Sequence, residues 1–126
     1  MIHEVIVTTV NKDKLVHIAP MGIKFVNHAN QECIQISPFK PSQTLDNLIN
    51  TKKATVNFID DVKVFAGIVT GRKEEWDLSP QSKDKVAHLS NTNSYMNLNV
   101  SSIIEDELRP SIICNIYNKQ NLRPFM

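Results

Sequence analysis

Alternating hydrophobic positions divide most of the chain into short segments typical of β-strands. Residues 2–10 carry β-branched side chains on both faces, with Val5 and Val7 on one face and Ile6 and Val10 on the other. A strand that is apolar on both faces is typical of a central position in a sheet, because a half-solvated strand alternates with polar residues. Further strands are predicted over residues 15–19, 23–26, 33–37, 53–59, 95–104 and 111–117.

Turn-forming residues separate these strands and predict where the chain reverses. Residues 11–14 (Asn-Lys-Asp-Lys) predict a hairpin after the first strand, and residues 118–121 (Asn-Lys-Gln-Asn) predict a turn after the last one. Pro20, Met21 and Gly22 interrupt an apolar run, because proline removes a backbone donor and glycine removes a side chain. We interpret this interruption either as an edge bulge or as backbone that a flat ligand can approach closely.

Two short helices are predicted between the strands. Leu45, Leu48 and Ile49 follow helical spacing, and Thr44 is the predicted N-cap of this first helix. A second helix is predicted over residues 62–70, although Val64 and Ile68 are apolar too, so the segment is either a helix buried on more than one side or a strand. The residues predicted to cap its two ends are Asp60, Asp61 and Gly71.

The polar segment and the end of the chain bear on domain organisation. Residues 72–90 are polar and charged, and we interpret them as an excursion from one domain, in which Trp76 is a candidate to cover a pocket or fill an interface. Residues 122–126 resemble the opening of a returning strand that stops after one short arm. We therefore expect residues 1–126 to be a single domain from a longer protein.

Composition excludes several classes of protein. The 126 residues suit one domain, and 14 Lys and Arg against 13 Asp and Glu argue against a nucleic-acid partner, which requires a basic excess. No apolar run is long enough to span a membrane, and the first residues do not form a signal peptide. Two cysteines argue against a disulfide framework and predict a cytoplasmic protein. Three glycines exclude a glycine-rich dinucleotide-binding loop.

Metal-binding and nucleophilic motifs are missing from the sequence. The histidines and cysteines form no CxxC, HxH or HExxH pattern, so no metal site is predicted. Cys33 and Cys114 lie in apolar segments and are interpreted as small core residues. No residue is assigned as catalytic.

A candidate anion site precedes the first predicted helix. Lys40, Ser42 and Thr44 place one cation and two hydroxyls where free backbone N–H groups and the helix dipole favour an anion. The plainer interpretation is that Thr44 only caps the helix and that Lys40 is solvated, and the pattern alone favours it. Capping and phosphate binding are compatible with each other.

Asn57 is a polar residue inside a strand that is expected to be mostly buried. A buried amide without a hydrogen-bond partner would cost about 1–3 kcal/mol. The partner of Asn57 is therefore either a neighbouring loop or the amide-like edge of a ligand.

Several segments together resemble one known family, the "domain of unknown function 447" proteins. They are VIVTTVN, HIAPMG, PFKPSQTLDNL and TVNFIDDVKVFAG within residues 2–71, with looser similarity at RPSIICNIYN and LRPF. The resemblance implies a mainly β fold, an antiparallel, Greek-key-like split β-barrel of the FMN-binding, flavin reductase-like type, with short helices. It also implies a helical C-terminal section that would follow residue 126.

The resemblance implies an FMN site as well. The phosphate would be held by Lys40, Ser42 and Thr44, with Ser37 near the ribityl chain. The isoalloxazine ring and the strand beside it would be bordered by Thr9, Met21, Gly22, Asn57 and Phe58.

Three functions remain open at this point. The first is an FMN-dependent oxidoreductase that exchanges electrons with a nicotinamide or another small-molecule substrate. The second is an FMN-binding protein without turnover, and the third is a dimeric interaction module without flavin. The resemblance further implies a homodimer with the flavin at the subunit seam.

Overall fold

The computed structural model describes residues 1–59, 62–71, 77–80, 85–90 and 92–121. These residues form a mainly β structure with two short helices. In chain order the elements are β1 (His3–Val10), β2 (Val16–His28), β3 (Gln31–Ile36), α1 (Gln43–Thr51), β4 (Lys53–Phe58), α2 (Val62–Thr70), β5 (Ser94–Ile104) and β6 (Ser111–Asn121).

The strands close into an antiparallel barrel in the order β1-β2-β3-β6-β5-β4. Pairing of β4 with β1, where Val56 lies opposite Val7, closes the barrel. Because β3 pairs with β6 and not with β4, the connections are Greek-key-like. The mainly β, antiparallel barrel class expected from the sequence is confirmed.

The barrel interior is filled by one side of each strand. Val7, Ile34, Val56 and Ile112 are fully buried there, and α1 adds Leu48 to the same cluster. Burying an aliphatic side chain of this size contributes roughly 1.5–3 kcal/mol. This core holds β2 and β3, which carry the site described below, in fixed register.

The strand β1 is buried on both of its faces, as its apolar pattern predicts. Its inward side chains join the core, while Ile6 and Thr8 point outward and are also fully buried. The cover on the outward side is the segment 86–89, whose Ala87 carbonyl accepts a hydrogen bond from the Thr8 hydroxyl at 2.7 Å. A strand with two apolar faces therefore has two partners to pack against.

Two predicted interruptions are wrong. Pro20 lies inside the continuous strand β2 and is opposite Ile6 of β1. The strand β3 pairs with β2 only from Ile23 onward, so Pro20 has a neighbouring strand on one side only, where a missing donor is tolerated. The turn predicted over residues 118–121 is instead the end of β6, because those residues pair with the start of β5.

The helix predicted over residues 62–70 is confirmed with the same bounds. It ends as expected at Gly71, which has a φ of 69° and donates its N–H to the carbonyl of Ile68 at 3.3 Å. The predicted caps Asp60 and Asp61, Trp76 and residues 122–126 lie outside the described residues. Within the described part of the chain, neither helix is long and apolar enough to cross a membrane.

Candidate functional site

A cavity of about 530 Å³ opens beside the middle of β2. One part of its wall is Pro20, Met21 and Gly22 of β2, and a second part is the segment after β3, Ser37, Pro38 and Phe39. The remaining lining residues come from the first residues of the chain, from α2 and from the loop before β6. They are Ile2, Glu4, Val69 and Arg109.

The cavity brings together three residues that the sequence analysis assigned to a ligand. Met21 and Gly22 lie on β2, and Ser37 directly follows the strand β3 that pairs with it. Met21 is also packed against the core cluster, and this contact fixes its position. These three residues form a continuous surface even though 15 positions separate Gly22 from Ser37 in the chain.

Gly22 forms part of the floor of this cavity, beside the side chain of Ile2. A Cβ atom built on Gly22 would lie 2.8 Å from Cγ2 of Ile2 and 3.8 Å from a carboxylate oxygen of Glu4. The shorter distance is a clash, so any side chain at position 22 would displace Ile2. The Ile2 side chain therefore lies against the backbone of Gly22, and position 22 has room for a side chain only if Ile2 moves.

The segment 40–44 leads into α1, and the N-cap of this helix is Ser42 and not the predicted Thr44. Ser42 has an extended backbone, with φ −156° and ψ 151°, and its hydroxyl accepts a hydrogen bond from the N–H of Leu45 at 3.1 Å. Thr44 lies one residue inside the helix and is buried. The prediction was wrong by two positions because either hydroxyl can cap and only the backbone conformation decides between them.

Lys40 lies beside the loop that precedes β6. Its backbone N–H donates to the carbonyl of Leu108 at 2.8 Å, and its ammonium group lies 3.6 Å from a carboxylate oxygen of Glu105. The Lys40 side chain is partly exposed, so this ion pair is open to solvent. The cation is thus held near the start of α1 by a contact that an incoming anion can replace.

Thr9, Asn57 and Phe58 lie elsewhere. The hydroxyl of Thr9 is fully buried and accepts a hydrogen bond from the side-chain amide of Asn47 at 3.0 Å. Phe58 packs against the core cluster. Of the cavity walls that the structure describes, none comes from these three residues.

The partner of Asn57 is a neighbouring loop. Its side-chain oxygen accepts from the N–H of Leu89 at 2.8 Å, and its side-chain nitrogen donates to the carbonyl of Ile6 at 3.1 Å. Asn57 has no exposed surface. Of the two partners considered from the sequence, the contacts support the loop.

Arg109 is the site residue that sequence reasoning missed. Its Nε donates a hydrogen bond of 2.6 Å to the carbonyl of Ser37, and its guanidinium carbon lies 4.3 Å from the ring centroid of Phe39. The carboxylate of Asp106 accepts from the N–H groups of Leu108 and Arg109, at 3.0 and 2.8 Å. The Arg109 hydrogen bond and, second, the Leu108 hydrogen bond lower the pKa of Asp106.

The signal for Arg109 is weak in the sequence. An Arg-Pro pair before a strand has no ligand pattern of its own, and 72 positions separate Arg109 from Ser37. Only the pairing of β3 with β6 brings the two together. That pairing cannot be read from local periodicity.

The two cysteines are core residues, as expected. Cys33 and Cys114 are both free thiols and both buried. Burial, with a smaller contribution from Cys33, raises the pKa of the Cys114 thiol to about 12, so this thiol stays protonated and unreactive. Among the described residues, no group of His, Cys, Asp and Glu is arranged to hold a metal ion.

The fold is that of flavin reductase-like split barrels. A 2-nitrobenzoate 2-nitroreductase from Pseudomonas fluorescens superposes with a TM-score of 0.79 at 18% identity, covering 94% of this chain and 64% of that one. A flavoredoxin from Methanosarcina acetivorans superposes with a TM-score of 0.78 at 15% identity, covering 95% of this chain and 68% of that one. An FMN-binding protein from Thermus thermophilus superposes with a TM-score of 0.78 at 10% identity, covering 94% of this chain and 71% of that one.

These similarities establish architecture. The chain spans 64% of the length of the nitroreductase, so the larger protein has residues with no counterpart in this chain. No curated protein sequence matches the chain. Residues 3–123 match the family described as "Protein of unknown function (DUF447) N-terminal domain", and the chain belongs to that family.

Proposed function

We propose that this chain binds FMN in the cavity beside β2 and acts as a flavin reductase-like oxidoreductase. The observation that carries the proposal is the cavity of about 530 Å³ between Gly22 and Ser37, with the capped start of α1 following its second wall. The neighbours in architecture include a flavoredoxin and an FMN-binding protein, which supports the choice of flavin. In this proposal Met21, Gly22 and Ser37 contact the cofactor directly.

The cavity fits the isoalloxazine ring in shape and chemistry. Gly22 adds no side chain to the lining, and Met21 and Phe39 provide apolar surface. Ser37 and Arg109 add polar groups to the same lining, and the Nε of Arg109 donates to the carbonyl of Ser37. A planar ring with a polar edge needs this combination.

The start of α1 fits the phosphate. The helix has nine residues, and its first turn presents N–H groups that favour an anion. Ser42 adds a hydroxyl at the cap, and Lys40 adds a cation whose exposed ion pair with Glu105 is weak. Thr44, which is buried, would support this turn from inside rather than contact the phosphate.

The protein's part in the reaction is positional. The bound flavin would supply electron or hydride transfer. Met21, Gly22 and Phe39 would hold the ring and exclude water from one side of it. Glu4 and Arg109 are the charged residues in the described walls, and Arg109 is fixed by Ser37 and Phe39, so it can set the charge next to the ring.

We further propose a homodimer whose seam passes over this cavity. Large apolar side chains around the cavity are exposed in the single chain, namely Ile2 (59%), Phe39 (62%), Val69 (54%) and Leu108 (70%). Covering them with a second copy would remove apolar surface from water and close the cavity. A variant with Leu108→Ser should shift the sedimentation coefficient toward that of a monomer, and an unchanged coefficient would place the seam elsewhere.

The first test is an absorbance spectrum of the purified protein with and without added FMN. We expect flavin absorbance that remains with the protein through gel filtration. A preparation that retains no flavin after FMN is added would exclude both an oxidoreductase and a non-catalytic FMN carrier, and would leave an interaction module.

The second test separates an oxidoreductase from a carrier. The FMN-loaded protein is mixed with NADH or NADPH without oxygen, and the flavin absorbance is followed. We expect bleaching with one of the two nicotinamides. A flavin that is not bleached by either would favour a carrier.

A further inference from the structure

A second, smaller cavity of about 250 Å³ adjoins the first. The two share part of their walls, including Gly22, Ser37 and Arg109. Lys24 and Gln35 line only the smaller one, which we call the annex. A molecule in the annex would therefore touch the group that occupies the larger cavity.

The annex lies on the outer face of the β2–β3 pair. Lys24 is directly opposite Gln35 in the ladder, while their neighbours Ile23, Ile34 and Ile36 point into the core. Because side chains alternate along a strand, Lys24 shares the outer face with Gly22, and Gln35 shares it with Ser37. The annex is thus built on the same two strands that carry the proposed flavin site.

The annex is positively charged. Lys24 and Arg109 both line it, and no carboxylate appears among its described lining residues, whereas Glu4 lines the larger cavity. Within the described part of the chain, neither Lys24 nor Arg109 is in an ion pair. Two cations that form no ion pair among the described residues, beside an amide and a hydroxyl, are an arrangement that binds an oxyanion.

Arg109 is held in place before any ligand arrives. Its Nε is bonded to the carbonyl of Ser37, its guanidinium carbon lies over the ring of Phe39, and its backbone N–H is bonded to Asp106. The Nε bond leaves the two terminal guanidinium nitrogens to donate elsewhere. A fixed guanidinium loses less entropy on binding an anion than a mobile one does.

We propose that the annex binds the acidic group, a carboxylate or a phosphate, of the second small molecule that meets the flavin. This inference rests on the proposed function, because it names the class of substrate for that same site. The annex has about half the volume of the main cavity, so it takes one acidic group, while the remainder of the molecule lies toward the larger cavity. The substrate class is therefore a small organic acid or phosphate ester.

The test uses the backbone amide signals of isotope-labelled full chain, first without flavin and then loaded with FMN. The probes are benzoate, inorganic phosphate and benzamide, which has the shape of benzoate without its charge. We expect benzoate and phosphate to shift the signals of Lys24 and Gln35, and benzamide to leave them unchanged. Lys24→Gln should raise the dissociation constant of benzoate about fivefold to tenfold.

The matched control is Lys12→Gln, which removes the same charge from the turn between β1 and β2. Lys12 is 12 positions before Lys24, and β2 extends over most of that distance, so the control should leave benzoate binding unchanged. Equal weakening in both variants would mean that benzoate responds to net charge only, and would overturn the proposal. Absence of any shift with benzoate and phosphate would overturn it as well.

FMN and riboflavin distinguish the annex from the flavin's own phosphate site. If FMN displaces phosphate from the annex while riboflavin does not, the annex holds the flavin phosphate and the proposal is wrong. If the protein fails to bind either flavin but benzoate still shifts Lys24 and Gln35, the flavin function fails and the acid-binding site stands. If benzoate binds to the FMN-loaded protein and Lys24→Gln weakens that binding, the result supports both the flavin function and the acid-binding annex.

Discussion

The side-chain oxygen of Asn57 accepts a hydrogen bond from the backbone N–H of Leu89, with 2.8 Å between the two atoms. This contact is one of three hydrogen bonds that, among the described residues, tie the segment 86–89 to the outer face of the barrel. The hydroxyls of Thr8 and Thr55 donate to the carbonyls of Ala87 and Val86, at 2.7 and 2.8 Å. All three barrel side chains are fully buried, so this polar layer is sealed from water by the segment it holds.

Replacing Asn57 by Ala should lower the free energy of unfolding by about 2–4 kcal/mol. The change removes the acceptor for the Leu89 N–H and leaves that donor buried without a partner. Urea unfolding at constant pH measures the effect, and the matched control is Asn50→Ala on the exposed side of α1, which should change stability by less than about 0.5 kcal/mol. Normal stability with lost FMN binding would show that Asn57 acts on the ligand.

The elements that the sequence predicts well are those with a local cause. Alternation finds the strands, and the bounds of α2 follow from apolar spacing with Gly71 as its stop. The predicted interruptions of strands, at Pro20 and at residues 118–121, are wrong for a non-local reason. Whether Pro20 interrupts a strand depends on which side of β2 has a neighbour, and this is decided by β3.

The same division applies to the candidate site. Met21 and Gly22 belong to a short segment that resembles a family, Ser37 directly precedes another, and the structure brings the three residues to one cavity. Arg109 reaches that cavity only through barrel closure and has no local signal. Asn57 does have a local signal, but that signal does not identify the partner, because a buried polar residue can bond to a loop as well as to a ligand.

Ser42→Asp should separate the capping role of Ser42 from its proposed phosphate contact. Aspartate caps a helix about as well as serine does, so the free energy of unfolding should stay within about 0.5 kcal/mol of the wild-type value. The added negative charge repels a phosphate at the same position. We expect the dissociation constant of FMN to rise about tenfold, while that of riboflavin, which has no phosphate, changes less than twofold.

Ser42→Ala is the companion variant for this measurement. It removes the cap and should cost about 1 kcal/mol of stability, with only a small loss of FMN affinity because no charge is added. Equal losses of FMN and riboflavin in Ser42→Asp would mean that the phosphate does not bind at the start of α1.

Gly22→Ala should weaken the binding of FMN and of riboflavin to the same extent. The new Cβ would displace Ile2, which is exposed near the start of the chain, and would raise the floor of the cavity. Because our proposal places the ring, not the phosphate, at this floor, we expect dissociation constants for FMN and riboflavin to rise about fivefold or more. Fluorescence titration gives both constants, and a loss confined to FMN would place the phosphate, not the ring, at Gly22.

His17 should make the fold less stable in mild acid. It lies half-buried on β2 opposite Thr9, and burial lowers its pKa from the ordinary value of 6.5. The unfolded chain then binds a proton on His17 at a higher pH than the folded chain does. The stability from neutral His17 is complete above pH 6.5 and is lost as the pH falls through the lowered pKa.

The measurement for His17 is the urea midpoint as a function of pH, compared between the wild-type protein and His17→Gln. Carboxylates titrate in the same way in both proteins, so the difference between the two curves isolates the imidazole. We expect the midpoint of the wild-type protein to fall more steeply below pH 6.5 than that of the variant. His28→Gln, which changes an exposed histidine on the same strand, should follow the wild-type curve. Parallel curves for wild-type and His17→Gln would mean that burial of His17 does not oppose its protonation.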